Sequence, residues 1–137
     1  MLPNNCQRKE SLTWPAVAEW RQLKMHEVAI MTEAVRMAVE SAEAAGAQRI
    51  TALRLRIGVL SGVVPEAMRF AWDVVRPGTM LADARLEIYP VAAVCWCPTC
   101  QKEFESKEFL SECPRCHELS GDLRRGRELQ IAALELE

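Results

Sequence analysis

Along residues 27–45 the apolar positions recur at Ile30, Met31, Ala34, Val35, Ala38, Val39 and Ala42, the spacing that lays one stripe along a helix. Gly46 follows at the place where a left-handed residue ends a helix. The period then shortens. Leu53, Leu55 and Ile57 alternate with Arg54 and Arg56, which predicts a half-buried strand closed by Gly58 and the Ser61-Gly62 turn. Pro65 suits the first turn of a second helix over residues 65–75, with Ala67, Phe70, Ala71 and Val74 as its predicted inner face, and Arg76-Pro77-Gly78 stops it. Leu86 and Ile88 alternate against Arg85 and Glu87 in a second strand, where Pro90 marks an end or a sheet edge.

From residue 128 a strand pattern returns and slips once. Leu129 and Ile131 share one parity and Leu134 and Leu136 the other, so a bulge near Ala132-Ala133 is favoured over burial of both faces. The order helix, strand, helix, strand, intervening segment, strand predicts a small α+β domain with an insertion before its last strand. Residues 1–24 differ in character, carrying Trp14, Trp20, Pro3 and Pro15 and one helical stretch over residues 16–24. They are expected to form a mobile tail or a helix packed on the domain.

Composition narrows the class. Half of the 137 residues are apolar and about a quarter are charged, an ordinary globular balance. Within residues 97–127 the six basic residues Lys102, Lys107, Arg115, Arg124, Arg125 and Arg127 are matched by Glu103, Glu105, Glu108, Glu112, Glu118 and Asp122. A face built for phosphates would be more basic, which argues against nucleic acid as a partner. No stretch approaches the roughly eighteen apolar residues of a membrane span and the first residues lack a secretory apolar core, so the expected location is the cytoplasm.

The insertion carries two Cys-x-x-Cys pairs, Cys97/Cys100 and Cys113/Cys116, with Pro98 and Pro114 inside the knuckles to favour tight turns. Zinc prefers thiolates held tetrahedrally, and four of them leave no open position, so the predicted site is structural and not catalytic. A disulfide pair or a rubredoxin-like iron site is the weaker reading of the same cysteines. Cys95 is expected to be a free thiol and His117 a spectator beside the four sulfurs, while Cys6 has no assigned role. No nucleophile with a matching base is visible, which makes an enzyme the weakest class and leaves a nucleic-acid-binding zinc ribbon as the alternative.

A second candidate is Met25-His26-Glu27. If translation began at Met25, its amine, the deprotonated amide of His26 and the His26 imidazole would form two chelate rings around one ion, and Glu27 could supply a fourth donor. That planar set suits Ni(II) or Cu(II) better than zinc. The amine, with a reference pKa of about 7.7 to 8.0, must lose its proton, so affinity weakens as pH falls. On residue chemistry alone, a solvated histidine near a helix start is the more ordinary reading.

Met25-His26-Glu27-Val28, Gly58-Val59-Leu60-Ser61, Pro65-Glu66-Ala67-Met68-Arg69-Phe70-Ala71, the two Cys-x-x-Cys pairs and Gly126-Arg127-Glu128-Leu129 occur in this order. Together they resemble the HypA/HybF family of hydrogenase-maturation nickel metallochaperones, and the likeness covers residues 25–137. The resemblance implies a two-helix, mixed-sheet nickel-binding domain over residues 25–94 and 126–137, with an inserted four-cysteine zinc-ribbon subdomain over residues 95–125. It implies Ni(II) as transferred cargo held by Met25, His26 and Glu27, and structural Zn(II) held by Cys97, Cys100, Cys113 and Cys116. The implied partners are the GTPase of the maturation pathway and the large subunit of a nickel-iron hydrogenase, with a homodimer left open and no membrane partner. The chain departs from the pattern in the twenty-four residues ahead of Met25, for which a start codon placed too far upstream is the preferred explanation.

Overall fold

The computed structural model describes residues 10–13 and 27–137. In chain order the elements are β1 (Glu10–Thr13), α1 (Glu27–Ala44), β2 (Ile50–Gly58), α2 (Pro65–Val75), β3 (Arg85–Val91), β4 (Ala93–Cys97), β5 (Lys102–Ser106), β6 (Ser111–Glu112), β7 (Leu119–Ser120), β8 (Leu123–Arg125) and β9 (Leu129–Leu136). The larger sheet has the order β1-β9-β2-β3, with β2 and β3 parallel across the α2 crossover and the other pairs antiparallel, so it is mixed. A second sheet, β5-β4-β8, and the short pair β6-β7 form the insertion.

The stripe on α1 is buried as its spacing predicts: Ile30, Met31, Ala34, Val35, Ala38 and Ala42 face the sheet, with Val39 at the margin. Gly46 ends the helix with φ +73°, and the Ala47 N–H reaches back to the Ala42 carbonyl, closing the left-handed C-terminal turn. On the outer side Arg36 lies between Glu33 and Glu40, a solvated charge row.

The inner face of α2 is a correction. Met68, Ala71 and Trp72 are buried, whereas Phe70 is 67 % and Val74 53 % exposed. Residues 67, 70, 71 and 74 and residues 68, 71, 72 and 75 are both valid helical stripes, one helical step apart. Periodicity alone cannot choose between them. The sheet buries the stripe that carries Trp72, the larger apolar side chain, with Met68 beside it. Arg76 then pins the following loop by donating from Nη1 to the carbonyls of Ala82 and Ala84.

In β2, Leu53, Leu55 and Ile57 point into the core. Across β9, Arg54 pairs with Ala133 while the next residue, Leu55, pairs with Ile131, so Ala132 is the extra residue of a bulge. The bulge restores Leu129, Ile131, Leu134 and Leu136 to one buried face in spite of their mixed parity. A second irregularity at Thr51 does the same for Ile50. β3 is the outer strand on one side, where Pro90 costs no shared ladder bond on the free edge. The solvent face of this sheet carries Arg54 between Glu87 and Glu135, and Arg85 between the same two carboxylates. Burial works to raise Glu135, but the guanidiniums of Arg54 and Arg85 outweigh it and hold the carboxyl below its ordinary value.

The amino-terminal segment brings the second correction. It supplies a strand, with Glu10–Thr13 running antiparallel to β9 and Leu12 opposite Leu134. Four residues with one apolar position are too short to show a period, and their partner lies more than a hundred residues away in sequence. The helix predicted over residues 16–24 lies outside the described residues.

Candidate metal centre

The insertion is held by few apolar side chains. Along β4, Ala93, Cys95 and Cys97 turn inward while Val94 and Trp96 are half-exposed. The buried cluster of the insertion consists of Cys95, Cys97, Phe104 and Cys113, with Cys100, Cys116 and Leu123 packed against it. The first knuckle follows β4 directly, and the second lies between β6 and β7.

These two turns bring Cys97, Cys100, Cys113 and Cys116 together with all four sulfurs within 4.8 Å of one another. Cys97 Sγ is 3.4 Å from Cys116 Sγ, and Cys113 Sγ is 4.0 Å from Cys100 Sγ. A tetrahedron with metal–sulfur bonds of about 2.3 Å has edges of about 3.8 Å, so the donor set fits one zinc ion. A disulfide needs sulfurs about 2.05 Å apart, and all four cysteines are free, which removes that reading.

The surrounding backbone favours thiolate. The N–H of Cys100 donates to Cys97 Sγ at 3.4 Å. The N–H groups of Cys116 and then Arg115 act on Cys113 and, against the cost of burial, bring its thiol down to about 6. The Glu118 N–H acts on Cys116 in the same direction, but burial and the crowding sulfurs of Cys97, Cys100 and Cys113 push that thiol up to about 12. The Cys113 sulfur ionises readily and the Cys116 sulfur resists. A cation held among the sulfurs would favour both as thiolates.

Two features of the knuckles escaped the sequence reading. Gln101, directly after Cys100, has φ 52°, and His117, directly after Cys116, has φ 65°. Each knuckle therefore ends in a left-handed residue, and in each the place that glycine fills most cheaply is taken by a larger side chain. Two-cysteine turns of equal length close in the same way, so position gave the only available signal. His117 is also accounted for, since its Nδ1 lies 2.8 Å from Glu112 Oε1, its side chain is exposed, and it is outside the sulfur cluster. Cys95 is fully buried beside the cluster and outside it, as a free thiol.

The neck between the two sheets was likewise invisible. Gly58 closes β2 where the chain returning from β8 passes: a Cβ there would lie 2.2 Å from the Gly126 carbonyl carbon and oxygen. Gly126, at φ +121°, in turn packs on Ala93, where a Cβ would come within 2.6 Å of the Ala93 Cα. The Leu60 N–H donates to the Gly126 carbonyl at 2.7 Å and the Gly58 N–H to the Glu128 carbonyl at 2.7 Å. Gly58 packs on Gly126 and Gly126 on Ala93 with no room for a Cβ on either glycine, which fastens the insertion to the end of β2.

Two arginines of the insertion are paired within it. Arg125 pairs with Glu103 at 2.9 Å and Arg124 with Asp122 at 2.8 Å while stacking on Trp96. Paired guanidiniums are poor phosphate ligands, which disfavours the nucleic-acid alternative. Of the other candidate site, Met25 and His26 lie outside the described residues. Glu27 is the half-buried first residue of α1. Among the described residues no helix is long and apolar enough to cross a membrane.

Comparison with known proteins gives a consistent result. The family model described as hydrogenase/urease nickel incorporation, metallochaperone, HypA matches residues 25–136. The hydrogenase maturation factor HypA of a Picosynechococcus species is 44 % identical over 112 residues, which span 82 % of this chain and 99 % of that one. The factor of the same name from Chloroflexus aurantiacus is also 44 % identical, over 81 % of this chain and 98 % of its own. The solution structure of the Ni metallochaperone HypA from Helicobacter pylori superposes with a TM-score of 0.57 over 82 % of this chain and 97 % of that one, at 21 % identity, and so shares the fold.

Proposed function

Because the chain belongs to the HypA family of hydrogenase/urease nickel-incorporation metallochaperones, we propose that it carries Ni(II) to the large subunit of a nickel-iron hydrogenase, working with the GTPase of the maturation pathway. The chain is a nickel metallochaperone of hydrogenase maturation, and its chemistry is capture and release of an ion. Residues 25–94 and 126–137 form the nickel-binding part and residues 95–125 the zinc-binding part. Cys97, Cys100, Cys113 and Cys116 hold Zn(II) and keep the insertion folded.

The observation that carries the nickel assignment is that the family match starts at residue 25, the residue whose amine the chelate requires. In the form of the chain that begins there, the Met25 amine, the His26 amide and the His26 imidazole bind the ion, with Glu27 as the fourth donor. Glu27 opens α1 at the positive end of the helix dipole, and Met25 and His26 precede it directly in the sequence. A cation there is disfavoured unless anionic donors accompany it, and the deprotonated amide and the Glu27 carboxylate provide them. Reprotonation of the amine and amide undoes the chelate, so the ion is held at neutral pH and given up as pH falls.

Nickel affinity measured on three purified proteins tests this: the full chain, the chain starting at Met25, and the latter with His26→Ala. Tight binding is expected only in the second. Equal affinity in all three would defeat the terminal chelate.

A further inference from the structure

β9 has two edges. One pairs along its length with β2, from Ile57↔Leu129 to Ile50↔Leu136. On the other, β1 covers only Ala133–Leu136, and among the described residues no strand lies against Leu129 to Ala132. The Picosynechococcus and Chloroflexus aurantiacus relatives are matched over 99 % and 98 % of their length, and the family match begins at residue 25. The segment that covers this edge is therefore extra to them.

The sequence of β9 says what else fits there. Leu129-Gln130-Ile131-Ala132 and Ala133-Leu134-Glu135-Leu136 mirror one another: apolar, polar, apolar, alanine, then alanine, apolar, polar, apolar. Antiparallel pairing of two such strands about a two-fold axis sets Leu129 opposite Leu136, Gln130 opposite Glu135, Ile131 opposite Leu134 and Ala132 opposite Ala133. The bulge at Ala132 lies at the centre of the mirror, so the four large apolar residues stay on the buried face in both halves. Every cross-strand pair then joins like with like in polarity. β1 already runs in the direction the second copy would take, with Leu12 at the register position that Ile131 of the other copy would fill.

We propose that the outer edge of β9 is a self-association surface for a second copy of this chain, and that β1 is an internal strand that guards it. With β1 in place the sheet ends within the chain. When β1 is released or absent, two sheets join through β9 into one continuous sheet across the two-fold axis.

The backbone supplies a specific readout. Glu137 exchanges hydrogen bonds with Arg49 on the β2 side, so by strand alternation the N–H groups of Leu136 and Leu134 point at β1. The test measures molecular mass by light scattering and amide exchange at Leu134 and Leu136. It uses the full chain, the full chain with Leu12→Pro, and the chain starting at Met25, whose span matches relatives that lack the guard. The full chain is expected to have the mass of one copy, and the other two to double it at raised concentration with both amides still protected. In the Met25 form, Gln130→Glu should weaken the dimer by facing Glu135, and Gln130→Lys should tighten it. A single-copy mass for the Met25 form at every concentration, a dimer of the full chain with β1 paired, or a dimer indifferent to the charge at position 130 would overturn the proposal.

Discussion

The two halves of the molecule are held together by different physics. The helix-and-sheet part buries a continuous apolar cluster from α1, α2, β2 and β9, including Met31, Leu53, Leu55, Trp72 and Leu134. The insertion buries Cys95, Cys97, Phe104 and Cys113, and three of those four are cysteines. Hydrophobic burial supports the first part by itself. It cannot support the second, whose strands β6, β7 and β8 are two or three residues long. The contrast teaches that two parts of one chain can share a neck and still have separate sources of stability.

The largest effect expected is on metal removal. Binding to a site formed only in the folded state is worth about 10 kcal/mol, so stripping the ion with a chelator should unfold residues 93–125 and leave the α1–β2 core folded. Amide exchange resolves the two halves; uniform loss of protection in both would break the contrast. Cys113→Ser should reproduce the pattern together with lower zinc content, and unchanged zinc stoichiometry would contradict the ligand set.

Gly58→Ala strikes the neck instead. A methyl group 2.2 Å from the Gly126 carbonyl must displace backbone, at a cost of about 3 kcal/mol. Both halves should loosen together, seen as a lower thermal midpoint and new exchange at Leu60 and at Gly126. A change confined to one half would show that the neck does not couple them.

On the sheet alone, Glu135→Gln should cost about 1 kcal/mol at neutral pH, since its carboxylate is held by Arg54 and Arg85 in a partly exposed network. The sign follows from the lowered folded value. The contribution is complete above the ordinary glutamate value of about 4.3 and disappears as pH falls through the lower folded value. Wild type and variant should therefore converge in acid, measured by denaturant melts across that range. On the insertion alone, Gln101→Gly should raise the stability of the metal-loaded form by about 1 kcal/mol, because it relieves a left-handed non-glycine residue. No gain would place the strain elsewhere in the knuckle.

How much of this was legible in the sequence depends on the range of the signal. The α1 stripe, the alternation in β2, the edge role of Pro90 and the bulge near Ala132 are local patterns, and each holds in the structure. The inner face of α2 was misread because two stripes shared one helix. The strand at Glu10–Thr13 was missed because nothing near it in the chain announces its partner. The four sulfurs were legible because ligand spacing within each knuckle is itself a short-range property, and the two knuckles need only one ion to bring them together.

By itself, then, the sequence determined both helices, the strands β2, β3 and β9, the four-cysteine set and the family, since these depend on residue type and on separations of a few positions. Only the tertiary structure decided which side of α2 is covered, that Gly58 packs on Gly126 and Gly126 on Ala93, and that β1 lies along β9. Those outcomes depend on close packing between segments far apart in the chain, where fractions of an ångström select among arrangements that local pattern leaves equal.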